Sequence, residues 1–105
     1  MYSKTLYYEG LSLRFLGMTE DDLWLAEIVL TKNKYETSEG IKVGDTLNAL
    51  INAYPNIKFS ATTVIDEKPN SEVYEFFQDS LGFFAEFIID ENETIEEIHM
   101  YFLFD

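Results

Sequence analysis

The sequence contains no cysteine, two prolines and a single histidine among its 105 residues. The absence of cysteine excludes a disulfide scaffold, a thiolate metal site, a thiol nucleophile and a lipid-bearing cysteine. Because His99 is the only histidine, a site with several histidine ligands is excluded as well. No phosphate-cradling glycine motif occurs, and "DENETIEE" lacks the glycine and the ligand spacing of an EF-hand loop. We therefore expect a protein that is not an enzyme and holds no metal or cofactor.

Lysine and arginine are missing from the last third of the chain. All seven Lys and Arg residues lie at or before Lys68, whereas ten Asp and Glu residues follow it, and the net charge is −13. This charge repels phosphate backbones and anionic lipids, so we expect neither nucleic acid nor a membrane as a partner. It attracts basic proteins over long distances. Solubility is the other explanation of the acidity, and both stay open.

Long hydrophobic runs are also absent. The first ten residues, "MYSKTLYYEG", lack a basic region followed by an apolar one, and the apolar stretches are no longer than strands. We therefore expect no signal peptide and no membrane span, and a cytoplasmic location. Hydrophobic residues nevertheless make up 47% of the chain. That is enough for one core, so we expect a single domain over residues 1–105.

Residues that alternate between apolar and polar predict a mostly antiparallel sheet. Leu11, Leu13 and Phe15 alternate with polar residues after a turn at Glu9–Gly10, which predicts a hairpin. "LWLAEIVLTK" predicts a more central strand, with a helix over 19–30 as the alternative. Further strands are predicted over 57–65 and in "VYEFFQ", "FFAEFIID" and "IEEIHMYFLF". The intervening "DEKPNSE", "DSLG" and "ENET" are expected to be a loop and two turns.

One short helix is predicted at about 45–54. Asp45 after Gly44 is the expected N-cap, and Pro55 cannot continue the helix. Such a short helix is not stable alone in water, so it must pack on an apolar surface. The apolar side chains at helical spacing are Leu47, Leu50, Ile51 and Tyr54. The predicted fold class is therefore α+β: an antiparallel sheet, largely a meander, with one short helix packed on one face.

Alternation divides the last three strands into two faces. A turn at "DSLG" would place Glu75 opposite Glu86 and Phe77 opposite Phe84. A turn centred on Asn92 would place Glu97 beside Glu86. The same turn would place His99 beside Phe84. The predicted core face contains Tyr74, Phe76, Phe83, Ala85, Phe87, Ile89, Ile98, Met100, Phe102 and Phe104. The predicted other face contains Glu75, Phe77, Phe84, Glu86, Ile88, Ile95, Glu97, His99 and Tyr101.

The second face is the candidate site. A row of three opposed glutamates costs stability, by up to about 1 kcal/mol for each pair. Aromatic rings surrounded by charged side chains are typical of protein-binding patches. Glutamates on an outer sheet face are also explained by ordinary contact with solvent. The predicted partner-binding residues are Glu75, Phe77, Phe84, Glu86, Glu97, His99 and Tyr101.

The segment "TSEGIKVGDTLNALINAY", with its Gly-Ile, Gly-Asp-Thr and short helix ending in tyrosine, resembles a pattern of small bacterial domains. These domains are of the type of β-lactamase inhibitor protein and of the SmpA/OmlA outer-membrane assembly lipoproteins. The later "VYEFFQDSLGFFAEFIIDENETIEEIHMYF" is similar to the hairpin that follows there. In this chain Pro55 stands where such segments usually have glycine, and no second helix is evident. The resemblance implies a sheet face that binds other proteins.

These observations lead to one main hypothesis and two alternatives. The main hypothesis is an acidic inhibitor or immunity protein that neutralises a basic protein, such as a nuclease toxin domain. The first alternative is a structural or regulatory domain whose acidity maintains solubility. The second is a small-ligand-binding domain, which requires a deep cleft with convergent polar groups.

Overall fold

The computed structural model of the protein describes residues 1–62, 71–78 and 82–102. Within these ranges the chain forms seven strands and one helix. The strands are β1 (Tyr2–Tyr8), β2 (Leu11–Gly17), β3 (Leu23–Leu30), β4 (Lys58–Thr62), β5 (Glu72–Gln78), β6 (Phe83–Ile89) and β7 (Ile95–Phe102), and the helix is α1 (Leu47–Ala53). The turn at 79–81, residues 63–70 and Phe104, on which parts of the predictions fall, lie outside the described residues.

All seven strands belong to one antiparallel sheet with the order β1-β2-β3-β7-β6-β5-β4. Two runs of consecutive hairpins, β1–β3 and β4–β7, meet where β3 pairs with β7. The chain between β3 and β4 must therefore return across β7, β6 and β5, and it carries α1 over one face of these strands. We call that face the helix face and the opposite one the outer face. This confirms an antiparallel, sheet-rich, meander-like fold with a minor helix.

The first half of the sheet forms as its alternation predicts. Residues Glu9 and Gly10 connect β1 to β2, and Gly10 adopts a φ of 78°, which glycine tolerates without strain. Leu23–Leu30 is a strand, so the alternative helix over 19–30 is wrong. A bulge between Arg14 and Phe15 shifts the register against β3.

Helix α1 begins one residue later than predicted. Thr46, not Asp45, is its N-cap, because the Thr46 Oγ1 atom accepts a hydrogen bond from the Ala49 N–H at 3.2 Å. The Asp45 carboxylate is instead occupied by the Lys42 N–H at 3.0 Å and the Lys42 ammonium at 3.1 Å. The helix ends with Tyr54 as its C-cap, directly before Pro55, as expected.

The glycine before the helix serves to join α1 to the sheet. Gly44, at a φ of 96°, donates its N–H to the Ile95 carbonyl at 2.8 Å. Ile95 returns a hydrogen bond to the Asp45 carbonyl at 2.9 Å, and the Leu47 N–H reaches the Glu93 carbonyl at 2.9 Å. The first turn of the helix is thereby fixed to the turn between β6 and β7.

The core lies between α1 and the helix face. Leu50 and Phe87 are fully buried, and Tyr54 packs its ring 4.9 Å from Phe76 and 5.3 Å from Phe87. The expectation that Ile51 belongs to the buried stripe is wrong, because its side chain is 42% exposed. Ala49 and Ala53 contact the core in its place. The helix therefore packs on the sheet through the side that carries these two alanines.

The hairpin of β6 and β7 contains one residue more than a simple alternation allows. Ile89 pairs with Ile95, whereas the next pair is Ile88 with Glu97, so Glu96 forms a bulge. Ile95 therefore lies on the helix face and is 2% exposed. The prediction that Ile95 shares a face with Glu97 is wrong for this reason.

Candidate functional site

Three aromatic side chains form a row across the outer face of β5, β6 and β7. Phe77 pairs with Phe84 as predicted, and Phe84 pairs with Tyr101. The ring centroids are 6.2 Å apart for the first pair and 5.8 Å for the second, within the range of aromatic contact. We call Phe77, Phe84 and Tyr101 the aromatic row. Phe77 is 52% exposed, while the other two rings are half-buried.

Two glutamates and the histidine form the next row. Glu75 pairs with Glu86 as predicted, but Glu86 then pairs with His99 and not with Glu97. The expected row of three glutamates is therefore wrong, as is the expected pairing of His99 with Phe84. The bulge at Glu96 and the longer turn displace β7 by two residues, which preserves the faces and changes the neighbours. We call Glu75 and Glu86 the carboxylate pair.

Glu97 lies one row further along β7, opposite Ile88. Its Oε1 atom is 3.0 Å from the His99 Nε2 atom, so these predicted site residues contact each other. Ile88 also faces outward, but it is 4% exposed and contributes no accessible apolar surface. The exposed apolar part of the outer face in these strands is thus centred on Phe77.

The Tyr101 hydroxyl connects the aromatic row to carboxylates on both sides. Burial is the first cause that raises the pKa of Tyr101, followed by the negative charges of Glu86 and Glu27 and hydrogen bonding to them. Glu27 lies directly opposite Tyr101 on β3 and forms an ion pair with Arg14, at 3.3 Å from Nε to Oε1. The outer face therefore holds a polar network that extends beyond the last three strands.

Glu27 is the residue of this network that sequence reasoning missed. It lies 74 positions before Tyr101 in the chain, and the two meet only because β3 pairs with β7. Local alternation indicates that Glu27 faces away from the core. It does not indicate which distant strand lies beside β3.

The carboxylate pair carries negative charge that the described residues only partly offset. Glu75 accepts a hydrogen bond from the Ser60 hydroxyl at 2.7 Å, and Lys58 lies opposite it on β4. Within residues 1–62, 71–78 and 82–102, neither member of the pair forms an ion pair. Two opposed carboxylates beside an exposed ring can bind cationic groups that bring their own apolar stems.

The part of the chain that the structure describes contains no cluster of three His, Asp or Glu side chains that could hold a metal ion. None of its helices is long and apolar enough to cross a membrane. No polar side-chain atom is buried without a hydrogen bond among these residues.

A pocket of about 650 Å³ opens on the helix face, and sequence reasoning did not predict it. It lies between the segment before Gly40, the end of α1 and strands β5–β7. The second alternative function required such a cleft. The outer face and this pocket are on opposite sides of the sheet.

The chain matches no protein-family model, no curated protein sequence and no solved structure in comparisons with known proteins. The resemblance to the β-lactamase inhibitor and SmpA/OmlA type therefore stays a prediction.

Proposed function

We propose that the protein is a small acidic protein-binding module, an inhibitor or immunity protein that neutralises a basic protein such as a nuclease toxin domain. The observation that carries the proposal is the aromatic row directly beside the carboxylate pair on the outer face of β5–β7. The proposed binding residues remain Glu75, Phe77, Phe84, Glu86, Glu97, His99 and Tyr101, to which we add Glu27.

The aromatic row supplies the apolar centre of the proposed interface. Phe77 exposes half of its side chain to solvent, although burying a phenylalanine gains about 1.5–3 kcal/mol. It contacts Phe84, which in turn contacts Tyr101, so the exposed ring packs against a row of further rings. A partner that covers Phe77 removes this apolar surface from water. Interface hot spots are enriched in such aromatic anchors.

The carboxylates determine the sign of the partner's charge. The opposition of Glu75 and Glu86 costs up to about 1 kcal/mol of stability, and cationic groups of a partner would relieve that repulsion. The net charge of −13 accelerates the approach of a basic protein before contact is made. Such steering predicts an association rate that falls with ionic strength.

The proposal is tested by capturing partners from native cells with four tagged proteins at low salt. These are the wild type, Glu75→Lys with Glu86→Lys, a control with Glu20→Lys and Glu91→Lys, and Phe77→Ser. The two double variants change the net charge equally, but the control positions are exposed residues outside the strands. Circular dichroism and thermal unfolding of each protein establish that it is folded.

We expect the wild type and the control to retain the same basic protein, and the other two variants to lose it. High salt should release that protein from the wild type. If the carboxylate-pair variant retains it as well as the control does, the outer face is not the binding surface. If the wild type retains no basic protein that salt releases, the inhibitor function is wrong and the acidity serves solubility.

A further inference from the structure

The pocket on the helix face is built around a chain of aromatic rings. Tyr54 contacts Phe76 at 4.9 Å, Phe76 contacts Phe83 at 6.4 Å, and Phe83 contacts Phe102 at 5.6 Å between ring centroids. All four rings line the pocket. A chain of rings around one space presents several π surfaces to whatever occupies it.

The wall opposite the sheet is a short turn that is held in place from inside. The Thr37 N–H donates to the Ile41 carbonyl at 2.8 Å, and the Gly40 N–H donates to the Thr37 carbonyl at 2.9 Å. Thr37 is buried, and its Oγ1 atom accepts the Tyr54 hydroxyl at 2.8 Å and the Ile41 N–H at 3.2 Å. The turn is thereby tied to the end of α1. This wall of the pocket is thus held by hydrogen bonds within the chain.

The charges at the mouth of the pocket have one sign. Glu36 and Glu39 line it, and the described lining contains neither Lys nor Arg. The negative charge of Glu39 also acts on Tyr54 inside the pocket. Burial is the main cause that raises the pKa of Tyr54, and the charge of Glu39 raises this pKa further. The hydrogen bond with Thr37 lowers the same pKa. Anionic and phosphorylated ligands are therefore disfavoured.

From this geometry we infer that the pocket binds a small organic cation, with an ammonium or quaternary ammonium group on an apolar body. The four rings contact the apolar body and present their faces to the cationic group. The carboxylates of Glu36 and Glu39 complement its charge. The volume of about 650 Å³ is within the usual range of small-molecule sites. The inference is independent of the proposed protein partner, because the pocket lies on the other side of the sheet.

Three aromatic probes test the inference by NMR titration of the isotope-labelled protein. Benzyltrimethylammonium is the cation, benzyl alcohol the neutral probe and phenylacetate the anion. We expect the cation to cause saturable shifts of Ala53, Phe76, Phe83 and Phe102. Benzyl alcohol should cause no such shifts or bind about 3- to 30-fold more weakly than the cation, which is the difference that cation–π attraction supplies. Phenylacetate should cause no saturable shift of these residues.

Matched variants separate the role of Glu36 and Glu39 at the mouth of the pocket from a general effect of net charge. Glu36→Gln with Glu39→Gln should weaken binding of the cation by up to about 5-fold for each exposed carboxylate removed. Glu20→Gln with Glu91→Gln removes the same charge elsewhere on the exposed surface and should leave the affinity unchanged. These substitutions replace exposed side chains, so the variants are expected to fold.

Three results would overturn the inference: equal binding of benzyl alcohol and the cation, shifts that map away from the pocket, or undiminished binding by the Glu36→Gln, Glu39→Gln variant. Titration of the Glu75→Lys, Glu86→Lys variant keeps the two proposals separate. It should bind the cation like the wild type even if it loses its protein partner. Loss of one activity therefore does not imply loss of the other.

Discussion

At the residue scale, Tyr101 couples the stability of the outer face to pH. Its hydroxyl lies between Glu86 and Glu27 and is partly buried, and both conditions favour the protonated form. A group whose pKa is raised on folding stabilises the folded state below its unfolded pKa. That contribution is lost as the pH rises through the folded pKa. For tyrosine the loss begins at about pH 10.

Tyr101→Phe should therefore make unfolding less sensitive to alkali. At neutral pH we expect it to cost about 1 kcal/mol, because it removes a hydroxyl bonded to carboxylates. Above about pH 10 the difference from the wild type should shrink, because the phenol of the unfolded wild type ionises there while the folded one stays protonated. Urea unfolding between pH 7 and 11 measures this, with Tyr7→Phe, at an 80% exposed position, as the control. A constant difference across that range would contradict the assignment.

Glu93 is the described residue other than glycine with a positive φ, at 60°. The Asp90 N–H donates to the Thr94 carbonyl at 2.9 Å and so encloses a three-residue loop, 91–93. Glu93 is the third residue of this loop, the position that usually carries glycine in three-residue hairpin loops. A side chain in this conformation costs about 1–2 kcal/mol. The sequence contains no sign of this strain, because "ENET" reads as an ordinary polar turn.

Glu93→Gly should stabilise the protein by about 0.5–1 kcal/mol, since relief of strain exceeds the entropy lost by glycine. Glu91→Gly is the matched control, two positions earlier in the same turn and without a positive φ. It should be neutral or destabilising. Thermal unfolding of both variants decides this, and a destabilised Glu93→Gly would contradict the conformation of the turn.

At the scale of elements, the hairpin of β6 and β7 determines the arrangement of the candidate site. Alternation in the sequence is sufficient to predict the strands and to place Glu75 opposite Glu86. It is insufficient for β7, because a left-handed turn residue and the bulge at Glu96 leave little trace in a polar segment. The neighbours of His99 therefore differ from the prediction, although its face does not. The β3–β7 pair is likewise non-local and cannot be read from one strand.

Asp90 holds this turn together, and its ionisation should appear in the acid stability. Burial acts to raise the pKa of Asp90, but hydrogen bonds from the Thr94 hydroxyl at 2.7 Å, the Thr94 N–H and the Asn92 N–H lower it overall. A lowered pKa stabilises the folded state above the unfolded value of about 3.9, and this is lost as the pH falls through the folded pKa.

Asp90→Asn should cost about 1–2 kcal/mol at pH 7, because hydrogen bonds to a charged acceptor are lost. The difference from the wild type should narrow below about pH 3.9, where Asp90 of the unfolded chain becomes protonated, and disappear as the pH falls through the lowered folded pKa. Chemical denaturation of the variant and the wild type at pH 7 and pH 3 gives the difference in the free energy of unfolding at each pH. A difference that is the same at both pH values would mean that the carboxylate charge contributes nothing to the turn.

At the scale of the whole molecule, charge is divided along the sheet. Strands β1 and β2 contain Lys4 and Arg14 and no acidic residue. Strands β5, β6 and β7 contain five glutamates and no Lys or Arg. The proposed basic partner would therefore be attracted more strongly to β5–β7, where the aromatic row lies, than to β1 and β2. Helix α1 covers only part of the helix face, so the outer face and the pocket beside the end of the helix are both accessible.

Phe77 and Phe59 allow the central proposal to be tested at equal exposure. The two side chains are 52% and 53% exposed, but Phe77 lies on the outer face and Phe59 pairs with Tyr74 on the helix face. The decisive measurement is the affinity of wild type, Phe77→Ser and Phe59→Ser for the basic protein captured from native cells. We predict that Phe77→Ser weakens binding by about 10-fold or more and that Phe59→Ser leaves it unchanged. Equal affinities of the two variants, or stronger loss with Phe59→Ser, would contradict binding through the outer face.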